Sequence, residues 1–282
     1  MYEIVWQYDE TTPFADEGPA DAAAARRRLR EGNDAFARFF DPHRAAGETT
    51  RHVVRVSAQD VGISGKPGEA PPQEPFAAFL SCADARVPVE LIFGQQANDL
   101  FVVRVAGNVL GDECLGSLNY AVDQLGTVRL LAVLGHTGCG AVSAAVDAYL
   151  TPTDYLGVTA NRPLQTIVNS LLAPTRGAAL VLASVYGEAV ETQPGYRQAL
   201  IQTAVVLNTA LSAATLAHNF QGVLGQRLQV SFGVYDLRHR TVGLPDADGE
   251  WAVGLFEPPT TQEDFTAFGY RVAQSRLVRE WL

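Results

Sequence analysis

The chain has 282 residues, 47% of them hydrophobic and 18% charged, enough for one large core with terminal decorations. A formal charge of −10 and a pI near 4.9 repel phosphate backbones and anionic bilayers, so neither nucleic acid nor a membrane surface is an expected partner. Three cysteines do not make a disulfide framework, no stretch reads as a transmembrane helix, and the start MYEIVWQYDE has no basic region of a secretory signal. These readings place the chain in a reducing cytoplasm, where thiolates are free to hold metal.

Residues 1–19 are polar, acidic and Pro-containing and read as an irregular arm. DAAAARRRLREGNDAFARFF (21–40) is rich in helix formers, with Leu29, Phe36 and Phe40 on one face and a break near Gly32. Residues 41–75 read as connecting chain with one candidate strand, HVVRV at 52–56. FAAFLSC (76–82), LFVVRVA (100–106) and VRLLAVLG (128–135) are continuous apolar runs suited to buried parallel strands. LGSLNYAVDQLG lies between the last two and GAVSAAVDAYL follows Cys139, both with helical spacing. Alternating strand and helix predicts an α/β fold, Rossmann-like, with a mainly parallel central sheet flanked by helices. Residues 151–200 read as helices with loops, 199–220 as a strong helix and 228–237 as another core strand. TVGL (241–244) is expected to turn back as an antiparallel edge. The tail ends in a predicted helix, AFGYRVAQSRLVREWL.

Two clusters carry chemistry, and each follows a predicted strand. Cys82-Ala83-Asp84-Ala85-Arg86 follows 76–82, and His136-Thr137-Gly138-Cys139 follows 128–135. Ligands in open α/β sheets bind beyond the carboxyl ends of strands, so these distant segments can meet. Two thiolates and an imidazole satisfy three zinc positions, leaving the fourth for water or substrate; a closed structural zinc site or plain buried cysteine is the bland alternative. Only one paired motif is present, which favours the catalytic centre. Asp84 can ligate the metal or accept a hydrogen bond beside it, and a bidentate pair with Arg86 would keep it ionised and off the metal. An ordinary Asp–Arg loop pair has the same spacing.

CADARVPVELIFG, DLFVVRVAGN, LNYAV, VLGHTGCGAV, REGNDAFARF and VSFGVYDLRHRTVGL together resemble the β-class carbonic anhydrases over residues 25–245. The resemblance implies a catalytic domain over 25–245, between an N-terminal arm (1–24) and a C-terminal extension (246–282). It implies one zinc ion on Cys82, His136 and Cys139, with Asp84 and Arg86 as the catalytic dyad. Gln73, Phe101 and Tyr120 become substrate-binding residues, the last two in an apolar carbon dioxide pocket often shared across a dimer interface. The implied activity is reversible hydration of carbon dioxide to bicarbonate by zinc-bound hydroxide, in a homodimer or higher homo-oligomer. The same scaffold can hydrolyse carbon disulfide or carbonyl sulfide, and a non-catalytic zinc scaffold is a reading from another class. Ala83, Ala85 and Val105 depart from common family residues. Phe79 stands where members with a regulatory bicarbonate pocket carry Trp, so an open site without that control is expected. His218 is expected in the core or an interface, His43, His52 and His239 in loops or at strand edges, and Cys114 as a buried thiol at a helix start. No histidine close in sequence to the ligands offers itself as a proton shuttle.

Overall fold

The computed structural model describes residues 2–9, 18–39, 50–57, 68, 70–153, 155–159, 161–225 and 227–282. His43 and the side chain of His52 lie outside the described residues. Two strands, β1 (Tyr2–Asp9) and β2 (Thr50–Ser57), form a separate parallel pair. The arm expected to be irregular is therefore a strand over 2–9. Its alternation gains meaning only through a partner more than forty residues away, with Val5 opposite Val53.

Among the described residues the main sheet has six strands, in the order β4-β3-β5-β6-β7-β8. They are β3 (Ala77–Ser81), β4 (Leu100–Arg104), β5 (Leu130–His136), β6 (Gln229–Tyr235), β7 (Val242–Pro245) and β8 (Trp251–Val253). The first four are parallel, while β7 and β8 run antiparallel to their neighbours. TVGL does turn back beside β6, yet it is not the edge, because β8 pairs beyond it. Strands β3 and β5 are buried along their whole length, which is why their sequences are unbroken apolar runs rather than alternating ones.

Two cores lie on opposite faces of this sheet, and successive residues feed them in turn. Ala78, Leu80, Leu131 and Val133 enter one core, whereas Ala77, Phe79, Leu130 and Ala132 enter the other. The second core is closed by α1 (Ala22–Phe39), through Ala22, Ala25 and Leu29, and by α2 (Val89–Ile92). The expected break in α1 does not occur: the helix runs through Gly32, where a Cβ would lie 1.8 Å from the Phe93 carbonyl oxygen. Glycine serves there as the absence of a side chain at a crossing of two backbones.

The first core is covered by α3 (Asp112–Gln124), α4 (Gly140–Leu150), α6 (Arg162–Tyr186) and α7 (Tyr196–Asn219); the short α5 (Tyr155–Thr159) packs on α6. Contrary to the sequence reading, α6 and α7 are long and apolar enough to cross a membrane, with mean hydropathies of 1.3 and 1.5. The most apolar window of α7 is 83% buried inside the fold, so its hydrophobicity belongs to a core helix.

The tail is integral to this architecture. Its single predicted helix is two, α8 (Gln262–Ala273) and α9 (Arg276–Arg279), and Phe268, Val272 and Val278 enter the first core. Helix α8 starts on a reciprocal capping box between Thr261 and Asp264, which fixes its first turn. A boundary at residue 245 thus cuts through a sheet and a core.

Candidate metal centre

The parallel strands β3 and β5 pair Ser81 with Leu134, so both chains leave the sheet at the same end. Cys82 follows β3 directly, His136 is the last residue of β5, and Cys139 precedes the first turn of α4. Gly138, at φ +65°, turns the chain between the last two; that left-handed conformation suits glycine and lets one short turn present both His136 and Cys139.

All three side chains are buried, and their donor atoms lie within 4.8 Å of one another. The two sulfurs are 3.9 Å apart. Sulfurs about 2.3 Å from a tetrahedral zinc ion would lie about 3.8 Å from each other. His136 Nδ1 lies 3.1 Å from the Thr137 carbonyl oxygen. A carbonyl only accepts, so Nδ1 is the donor, which in the neutral ring leaves Nε2 with its lone pair. Among the described residues that buried Nε2 has no hydrogen-bond partner, a costly arrangement unless an electron-pair acceptor meets it. The donor set and its orphaned nitrogen fit zinc.

The thiols titrate as a pair. Cys82 is lowered to about 4, chiefly by the hydrogen bond from Cys139 and against the effect of burial. Cys139 is raised, first by the hydrogen bond to Cys82 and then by its own burial. Without a cation the two sulfurs therefore share one proton. The Gly107 N–H donates to Cys82 Sγ at 3.3 Å, giving further support to a thiolate there.

Asp84 stands beside the cluster with Oδ2 3.8 Å from His136 Nε2. Arg86 grips both its oxygens, Nε donating to Oδ1 at 2.9 Å and a terminal nitrogen to Oδ2 at 2.7 Å. The Arg86 backbone N–H adds a third bond to Oδ1 at 2.9 Å. These hydrogen bonds hold the carboxyl well below the usual carboxylate range. Asp84 is consequently ionised, acceptor-only and tethered.

Sequence reasoning assigned no role to Arg104, the last residue of β4. Its guanidinium donates to the carbonyls of Cys82 at 3.0 Å and Asp84 at 2.5 Å, clamping the loop that carries both. A basic residue closing an apolar strand beside a metal motif was the available signal. Asp236 was also missed; it accepts a hydrogen bond from the Thr137 hydroxyl at 3.3 Å. His239 contacts Asp236, so a histidine does reach the surroundings of the ligands, through the fold rather than through nearby sequence.

The remaining expected site residues lie on other elements. Phe101 and Tyr120 pack together with ring centroids 6.4 Å apart, on β4 and α3, and Tyr120 is half exposed. Gln73 is exposed and precedes β3, whereas Cys82 follows it. A five-residue strand spans about 17 Å, so within one chain Gln73 stands at the opposite end of β3 from Cys82. His218 is exposed near the end of α7 rather than buried, and Cys114 is half-buried in the first turn of α3.

Residues 77–238 match the family model described as Carbonic anhydrase. Carbonic anhydrase 2 of Mycobacterium tuberculosis is 42% identical over 125 residues, covering 44% of this chain and 53% of that protein. The carbonic anhydrase of Mycolicibacterium smegmatis is 38% identical over 129 residues, 46% of this chain and 55% of that one. The chain thus spans about half the length of the curated relatives it matches. The solved structure of the β-carbonic anhydrase CcaA shares the fold, with a TM-score of 0.50 at 22% identity over 64% of this chain and 85% of that one. With the family model spanning both Cys/His motifs and the strands that present them, the chain belongs to the β-class carbonic anhydrase family.

Proposed function

We propose that this chain catalyses the reversible hydration of carbon dioxide to bicarbonate and a proton, with one zinc ion held by Cys82, His136 and Cys139. The observation that carries this reading is the ionised Asp84, fixed by Arg86 and placed 3.8 Å from the unpartnered His136 Nε2, beside three donors that leave a fourth position free. Zinc, when bound, supplies the Lewis acidity that makes a nucleophile from water near neutral pH. Asp84 can only accept, so it takes a hydrogen bond from a water at the open side of the cluster and turns that oxygen's lone pair outward. Arg86 prevents the carboxylate from swinging onto the three donors and occupying the position itself. Because Asp84 is held so acidic, it does not retain the proton released by the reaction, which passes to buffer.

We further propose a homodimer or higher homo-oligomer built on the β4 side. Among the described residues no strand pairs the outer edge of β4, and Leu100–Val103 remain half-exposed there beside Tyr120. A role for Gln73 in substrate binding requires a second copy, since it lies at the wrong end of its own strand. The activity is tested by isotope exchange between labelled carbon dioxide and water on protein of measured zinc content. Exchange is expected to scale with zinc occupancy and to vanish in Cys82→Ser; exchange independent of zinc contradicts the reading.

A further inference from the structure

We propose that Asp236 is a positioning residue that acts through Thr137 to hold both His136 and Cys139 in place. The inference rests on the zinc reading above but concerns residues that touch neither metal nor substrate. Strands β5 and β6 run in parallel register with His136 opposite Tyr235. The next residue on each strand is therefore Thr137 on one side and Asp236 on the other, although 99 positions separate them. The Thr137 N–H donates to the Tyr235 carbonyl at 3.0 Å, extending the ladder by one step past the ligand.

Thr137 faces two ways. Its carbonyl accepts from His136 Nδ1, fixing the tautomer that frees Nε2. Its hydroxyl donates to Asp236 Oδ1 at 3.3 Å and accepts from the Leu237 N–H at 3.1 Å. Both the donor and an acceptor site of the hydroxyl are used, so a methyl group cannot replace it. Thr137 and Asp236 are 7% and 8% exposed, where unmet hydrogen bonds are costly.

Asp236 is itself immobilised. Its Oδ1 accepts from the Arg238 N–H at 3.0 Å, its Oδ2 pairs with His239 Nδ1, and its backbone bonds to Thr241 and Arg240 close the turn into β7. One end of the network is thus the β6–β7 turn, and the other is the imidazole that faces the metal position. Gly138 and Cys139 follow Thr137 directly, so a rotation of Thr137 displaces the second ligand as well. The outer partners of metal-bound histidines commonly contribute 10- to 100-fold in metal affinity, by fixing ring orientation and tautomer.

The test is competition between a zinc chelator and the full-length protein, with the melting temperature of the zinc-free form measured alongside. Thr137→Val and Asp236→Ala are each expected to weaken zinc binding by about 10- to 100-fold, while Thr137→Ser keeps the parental affinity. The double variant is expected to lose no more than the weaker single variant, because both substitutions break one linkage. Cobalt(II)-substituted protein should show a shifted absorption band in Thr137→Val and the parental band in Thr137→Ser. Parental zinc affinity in Thr137→Val, or losses that add in the double variant, overturns the inference while leaving the zinc reading intact. Should Asp236→Ala fail to fold, the near-isosteric Thr137→Val and its Ser rescue decide the matter. A parent protein that takes no stoichiometric zinc brings down both.

Discussion

Asp84 Oδ2 lies 3.8 Å from His136 Nε2, while Arg86 holds both oxygens of the same carboxylate. The two residues therefore frame one position from two sides, the imidazole offering a lone pair and the carboxylate a fixed acceptor. Asp84→Asn replaces that acceptor's charge at nearly constant shape. It is expected to lower kcat/KM for carbon dioxide by about 100-fold or more, the usual scale for losing a positioned acid–base group, with zinc content unchanged. Parallel metal analysis and stopped-flow assays check both halves; undiminished activity excludes Asp84 from the reaction.

Arg86→Ala has a pH signature. The folded-state pKa of Asp84 is lowered, first by the Arg86 hydrogen bonds, so the contact stabilises the fold above the ordinary carboxyl value of about 4. That contribution is lost as pH falls through the lower, folded-state value. The melting temperature of Arg86→Ala is expected to fall below the parent's at pH 7, and the gap to narrow towards pH 2. A gap independent of pH contradicts this. Because the Arg86 side chain is 60% exposed, solvent screens the pair and the shift should be modest.

Metal loading should move protons in a countable way. Cys82 is already a thiolate near neutrality and Cys139 is not, so the two sulfurs together hold a single proton. Zinc binding to the zinc-free protein at pH 7 is therefore expected to release about one proton per ion. Titration in lightly buffered solution with a pH indicator measures it, and release of two protons would show that the sulfurs do not share one.

Gly32→Ala tests the packing of α1. A Cβ there meets the Phe93 carbonyl oxygen at 1.8 Å and its carbon at 2.7 Å, contacts that only a backbone shift relieves. A loss of about 2 kcal/mol or more is expected, within the range for overpacked cores. Urea unfolding checks the value, and an unchanged midpoint would mean that α1 does not cross α2 so closely.

The elements legible in the sequence were those whose signal is local. Apolar runs at 76–82, 100–106, 128–135 and 228–237 each mark a strand of the sheet; β3 and β5, buried along their whole length, need no polar alternation. The Cys82–His136–Cys139 cluster and the Asp84–Arg86 pair were legible for a similar reason, as short motifs placed directly after those runs. What escaped depends on residues far apart. Strand β1 needs β2 to make sense of its alternation, and Trp251–Val253 is too short to register until it pairs with β7. Asp236 has no motif of its own; only the register of β5 against β6 brings it to Thr137. Gln73 precedes β3 while Cys82 follows it, so its expected role depends on a second copy, which the sequence of one chain does not place.

The most direct test of the central claim is stopped-flow hydration of carbon dioxide across pH, on zinc-quantified protein beside Cys82→Ser and Asp84→Asn. Hydration well above the buffer rate, proportional to bound zinc and lost in Cys82→Ser, is the result this account requires. Stoichiometric zinc on the intact cluster with a rate no greater than buffer at any pH would contradict it.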